Sequence, residues 1–106
     1  MDKAAVLGIV GRFGAALERG GVRPSKIVLY GSFANGRWHE WSDIDVVVVS
    51  SDFERMDHWQ RIDALTEAIF QVHQPIEAVG MTPEEWGRGD SLIAQFAREG
   101  EEVYPL

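Results

Sequence analysis

At 106 residues the chain is long enough to bury a core without disulfides or a structural metal, and one domain over residues 1–106 is the expectation. Its 45% apolar and 25% charged residues exclude a disordered or fibrous protein, and with no cysteine there is neither a disulfide nor a thiolate metal site. A net charge of −7 sets the overall field against a broad nucleic-acid surface, so a templated polymerase fits poorly, although carboxylates that recruit Mg²⁺ would reverse the charge locally.

In chain order, Val6, Ile9, Val10, Phe13 and Leu17 recur at helical spacing and predict an amphipathic helix that ends at Gly20-Gly21. After Pro24-Ser25, the β-branched run Lys26 to Tyr30 predicts a strand that delivers Gly31-Ser32. Phe33 to Ser42 carries glycine, asparagine, charge and two tryptophans without sustained periodicity, which predicts a turn or short helix and then a loop. Ile44 to Val49 is almost wholly β-branched, the composition of a central strand covered on both faces.

Beyond it, Asp52 is placed to cap a long helix with Trp59, Ile62, Leu65 and Ile69 as its buried stripe, ending near His73 before Pro75. Ile76 to Met81 predicts a third strand. Thr82-Pro83-Glu84-Glu85 has the form of a helix start, with Thr82 as N-cap, Pro83 at the first position and Glu85 closing a capping box. Leu92, Ile93, Phe96 and Ala97 mark a last short helix terminated by Gly100. The order helix, strand, strand, helix, strand, helix predicts an α/β fold, a small mixed sheet with helices packed against it. No apolar run of about 18 residues and no basic-then-apolar leader occurs, so a cytoplasmic chain is expected.

Three features carry the chemistry: Gly31-Ser32 at a strand end, Asp43-Ile44-Asp45 at the start of the next strand, and Glu77 near the start of a third. Asp43 and Asp45 are two apart, so their side chains point to one face and Ile44 to the other. Paired carboxylates repel unless a cation relieves them, and an oxygen-only site suits Mg²⁺. Two such ions about 3.5–4 Å apart clamp an in-line phosphoryl or nucleotidyl transfer. Taken singly, each feature also reads as a turn, a cap or a solvated strand edge; their joint placement at strand ends separates them from that.

The segment Leu29-Tyr30-Gly31-Ser32, the ten-residue spacer Phe33 to Ser42, and Asp43-Ile44-Asp45 resemble the signature of minimal nucleotidyltransferases of the DNA polymerase beta superfamily. Ala34, Gly36 and Ser42 also stand where that family has them, and the resemblance runs from the first helix to Arg98-Glu99-Gly100. It implies that Gly31 and Ser32 approach the nucleotide's β- and γ-phosphates and that Asp43 and Asp45 hold two Mg²⁺ ions. Glu77 matches the third carboxylate, positioning metal or serving as general base. The chain departs from the family twice: the third acid is Glu, not the commoner Asp, and position 35 is Asn35, which leaves Arg37 as the cation for the triphosphate.

The resemblance implies transfer of AMP from ATP to a hydroxyl. No second domain to grasp an acceptor is expected, and in this family the partner is often a HEPN-domain protein, the pair acting as toxin and antitoxin with a toxin tyrosine modified. Two other readings stay open: a nucleotidyltransferase-fold module that neutralises a partner by binding alone, and a small-molecule nucleotidyltransferase. Trp38 and Trp41 in the spacer read as a base-stacking or partner anchor, or as packing over the core. Trp59 fits the helix stripe as a core residue. His39, His58 and His73 lack metal-ligand spacing, Arg12, Arg19 and Arg23 are scattered, and Glu84, Glu85, Glu99, Glu101 and Glu102 read as solvated or capping groups. Base preference and oligomeric state stay open.

Overall fold

The computed structural model describes residues 2–39 and 42–105. The first helix, α1 (Lys3–Arg19), is capped by the Asp2 carboxylate, which accepts from the Ala5 N–H at 2.8 Å. It leads to β1 (Lys26–Tyr30), a one-turn helix α2 (Ser32–Asn35), and β2 (Ile44–Val49). A 3-10 turn (Ser51–Arg55) precedes α3 (His58–Val72), and β3 (Ile76–Met81), α4 (Pro83–Arg88), α5 (Leu92–Ala97) and β4 (Glu101–Tyr104) complete the chain.

The strands form one mixed sheet in the order β3-β2-β1-β4. β1 pairs antiparallel with both β2 and β4, whereas β2 and β3 are parallel. A parallel neighbour requires a crossover, and α3 supplies it. Alternation along β2 divides the core between the two faces of the sheet. Ile44, Val46 and Val48 pack with Val10, Phe13 and Leu17 of α1 and Leu65, Ala68 and Val72 of α3, while Val47 and Val49 pack with Ala94 and Ala97 of α5. All six β2 positions except Asp45 are buried, as its β-branched composition predicts. The Thr82 capping box forms as expected, with Glu85 N–H on the Thr82 hydroxyl at 3.1 Å and Thr82 N–H on the Glu85 carboxylate at 2.7 Å.

Two expectations are corrected. Asp52 does not cap the long helix. Its carboxylate instead accepts the Arg23 N–H at 2.8 Å, and α3 has its own capping box from Asp57 and Gln60. Trp59 and Ile62 are outside the buried stripe of α3, which consists of Leu65, Ala68 and Val72, because the small Ala68 lets that side approach the sheet; Trp59 is 71% exposed. The last short helix forms where Leu92, Ile93, Phe96 and Ala97 mark it; Ala94 and Ala97 are buried against the sheet, Ile93 packs beside them, and Leu92 and Phe96 are exposed. The sheet also gains a strand beyond Gly100: β4 completes the far edge, its Glu101 and Glu102 exposed and paired with Lys3 at 3.1 Å and Lys26 at 3.0 Å.

Candidate active site

The end of β1 and the start of β2 lie side by side because the two strands are antiparallel. Tyr30 is the register partner of Asp45, and Asp45 is in turn the register partner of Glu77 across the parallel β2–β3 ladder. Tyr30, Asp45 and Glu77 thus form a row across three strands, on the sheet face that α4 and α5 cover only in part. The backbone is fixed locally by two contacts. The Ile44 N–H donates to the Pro75 carbonyl at 2.8 Å, and the buried Ser42 hydroxyl accepts the His39 N–H at 2.9 Å, which ties down the spacer just before Asp43.

Gly31 joins the first motif to the second. Its φ of 74° and ψ of −152° lie in a region open only to glycine, and a β-carbon built there would stand 2.5 Å from Asp45 Oδ2. Glycine at this position therefore lets the main chain run directly against the carboxylate. Ser32 begins α2, whose Phe33 is buried and whose Ala34 and Asn35 N–H groups donate to the Gly31 carbonyl at 3.1 and 3.2 Å. Arg37 follows α2, exposed, its own N–H donating to the Ser32 carbonyl at 3.0 Å and to Asn35 Oδ1 at 3.1 Å. A cavity of about 160 Å³ borders Tyr30, Gly31, Asn35 and Phe96. A larger one, about 560 Å³, lies at the opposite end of the sheet beside Arg23 and Asp52, whose polar groups already satisfy each other.

The electrostatics follow from this crowding. Burial raises the Asp45 carboxyl above its ordinary range; a hydrogen bond with Glu77 acts the other way, and the Asp43 charge raises it further. Glu77 is raised chiefly by the Asp43 charge, then by burial and by its hydrogen bonds with Asp43 and Asp45. Tyr30 is raised by burial and by the charges of Asp45 and Glu77. Asp45 and Glu77 thus stand in register at one strand end, with Asp43 near enough for its charge to raise both. Among the described residues no group of three acidic or imidazole side chains converges as a preformed metal cage. Glu77 shares hydrogen bonds with Asp43 and Asp45, and Mg²⁺ takes only part of its shell from protein, the rest coming from phosphates and water. The all-oxygen donor set and its raised carboxyls fit such an ion.

Tyr30 is the participant that sequence reasoning passed over, though its place two residues after the inward Val28 and just before Gly31 puts it on the carboxylate face. The Trp38 ring stacks on buried Phe33 with centroids 5.7 Å apart and stays 37% exposed, so it both covers the core and presents a surface; Trp41 lies outside the described residues.

No curated protein matches the sequence. Solved structures share the fold, two of them as follows. One is a protein from Sulfolobus solfataricus classed as a nucleotidyltransferase, with a TM-score of 0.72 and 15% identity over 94% of this chain and 80% of that one. The other is a toxin–antitoxin with AMP-PNP, with a TM-score of 0.61 and 20% identity over 85% of this chain and 68% of that one. The nucleotidyltransferase domain family matches residues 14–94, a span that contains Gly31-Ser32, Asp43, Asp45 and Glu77, and the chain belongs to that family.

Proposed function

We propose that this chain is a single nucleotidyltransferase domain that moves a nucleoside monophosphate, AMP from ATP, to a hydroxyl of a partner protein, and that it serves as the antitoxin of a toxin–antitoxin pair. The observation that carries the reading is the contact of Gly31 with Asp45 in a site where Asp45 is also in register with Glu77 and feels the charge of Asp43. That contact sets the Gly31 turn against the carboxylates and supports the reading of the turn as a phosphate approach. The solved toxin–antitoxin with AMP-PNP supports the pairing with a partner and with an adenine nucleotide. A helical HEPN-domain protein, modified on a tyrosine, is the partner that the family resemblance favours.

In this reading the Ser32 hydroxyl donates to a non-bridging oxygen of the β- or γ-phosphate, and the lack of a side chain at Gly31 lets the phosphate reach the main chain. The Arg37 guanidinium balances part of the triphosphate's charge. Asp43 and Asp45 hold Mg²⁺, with Glu77 completing or orienting the set; when bound, the ions neutralise phosphate charge and stabilise the oxygens that attack and leave. Glu77, in register beside Asp45, accepts the proton of the acceptor hydroxyl. The hydroxyl oxygen then bonds to the α-phosphorus as the α–β bridging bond breaks, and pyrophosphate departs.

Melting curves test the site. ATP with Mg²⁺ at about 100 times Kd should stabilise the chain by about 2.7 kcal/mol, because a ligand of the folded state alone acts by mass action. ATP with EDTA should not. Equal stabilisation with and without the ion would place ATP elsewhere.

A further inference from the structure

The outer face of α3 bears large apolar residues that the fold does not use. Trp59 is 71% exposed, Phe70 70% and Ile62 37%. With 3.6 residues per turn these three and Thr66 fall within about 80° of the helix circumference, so they form one ridge about 16 Å long, opposite the buried Leu65, Ala68 and Val72. Two aromatics exposed to this degree on one helix face are an anchor pattern, since each offers roughly 150–250 Å² for burial.

The charges beside the ridge select the occupant. Asp63 and Glu67, both exposed, follow its α1 side. Arg61 is held on the β3 side by Glu85 at 2.7 Å and the Gly80 carbonyl at 3.5 Å, whereas Arg19 of α1 donates to Gln71 at 3.0 Å and lines the same cavity as Glu67, so the uncompensated negative charge nearest the ridge is that of Asp63. His58 stands edge-on to Trp59 at 5.3 Å between ring centroids. The ridge is therefore apolar with an acidic shoulder, on a chain of net charge −7. Anionic lipid headgroups and nucleic acid are repelled by that shoulder. Two copies crossing on a two-fold axis would bring Asp63 and Glu67 toward their own equivalents, and one helix crossing falls short of the roughly 800 Å² per partner of a stable dimer.

We propose that the outer face of α3 is the docking surface for a cationic amphipathic helix of a partner protein, with Trp59 and Phe70 as anchors and Asp63 and Glu67 paired with lysine or arginine. This deepens the partner reading above but uses none of its nucleotide chemistry. The surface lies on the sheet face opposite the carboxylate row, so it holds the partner without covering the nucleotide.

The probe is a labelled synthetic helix of about 20 residues with leucine at i, i+3, i+4 and i+7 and lysine or arginine on its flanks, beside a twin with glutamate flanks. Anisotropy titrations with the full chain should give micromolar binding of the basic helix and none of the acidic twin. Trp59→Ala, Phe70→Ala and the double variant Asp63→Lys with Glu67→Lys should each weaken binding about tenfold or more, with melting temperatures near the parent's because all four positions are exposed. Four results would overturn the proposal: equal binding by the aromatic variants, no binding by the parent, sedimentation as a dimer that Trp59→Ala dissolves, or co-sedimentation with phosphatidylserine vesicles at the peptide's expense. The shift from ATP with Mg²⁺, measured on the same samples, reports on the carboxylate site separately and should persist in every variant.

Discussion

Asp45 on β2 and Glu77 on β3 stand in register on adjacent parallel strands, and their carboxyls share a hydrogen bond while both are raised in pKa. A carboxyl that is raised in the folded state binds its proton more tightly there than in the unfolded chain. Folding therefore loses stability as pH climbs from the unfolded value, about 4, through the raised folded value.

Asp45→Asn removes that penalty. In EDTA the variant should melt above the parent at pH 7.5, and the two should converge below about pH 4, where the parent's carboxyl is protonated in both states. Melting curves across that range check it; a variant less stable than the parent at pH 7.5 would show that Asp45 supports the fold through other contacts.

Gly31→Ala tests the contact between the two motifs. A side chain at φ 74° is strained, and the new carbon would meet Asp45 Oδ2. A cost of about 1–3 kcal/mol is expected, with loss of the stabilisation by ATP and Mg²⁺ because Asp45 must swing away. Undiminished nucleotide stabilisation in a folded Gly31→Ala protein would contradict the assignment of this turn to phosphate.

Asp52 behaves in the opposite sense. The Arg23 N–H holds its carboxyl below the ordinary value, with burial opposing and Arg55 and Ser50 assisting. The resulting stability is present above the unfolded pKa and is lost as pH falls through the lowered folded one. Asp52→Asn should cost about 1 kcal/mol at pH 7, with the difference shrinking as pH falls below the unfolded value of about 4. Since Asp52 lies at the far end of the sheet, the ATP and Mg²⁺ shift should survive.

The local features were legible in the sequence. The bounds of β2 follow from its β-branched run, and the Thr82 cap follows from its neighbours. What escaped depended on distant pairing. β4 reads as two glutamates, a valine and a tyrosine, and becomes a strand only because Val28 and Leu29 of β1 lie beside it. On α3 two apolar stripes compete at the same period, and periodicity alone cannot say which faces the sheet; Trp59 was drawn to the wrong one. At the site, the types and spacing of Gly31, Asp43, Asp45 and Glu77 marked the candidates. That Gly31 touches Asp45, and that Tyr30 joins the row, required the register.

The most direct measurement is transfer of label from α-labelled ATP to the protein that co-purifies with the chain, compared among the parent, Asp43→Asn, Asp45→Asn and Glu77→Gln. Each change keeps nearly the same shape and removes one charge. On the proposed assignment the folded Asn variants should lose transfer by orders of magnitude, because each removes a carboxylate that would hold the ions, and Glu77→Gln should fall as the proposed proton acceptor is lost. Folded Asp43→Asn and Asp45→Asn proteins that transfer label as fast as the parent would contradict the catalytic assignment.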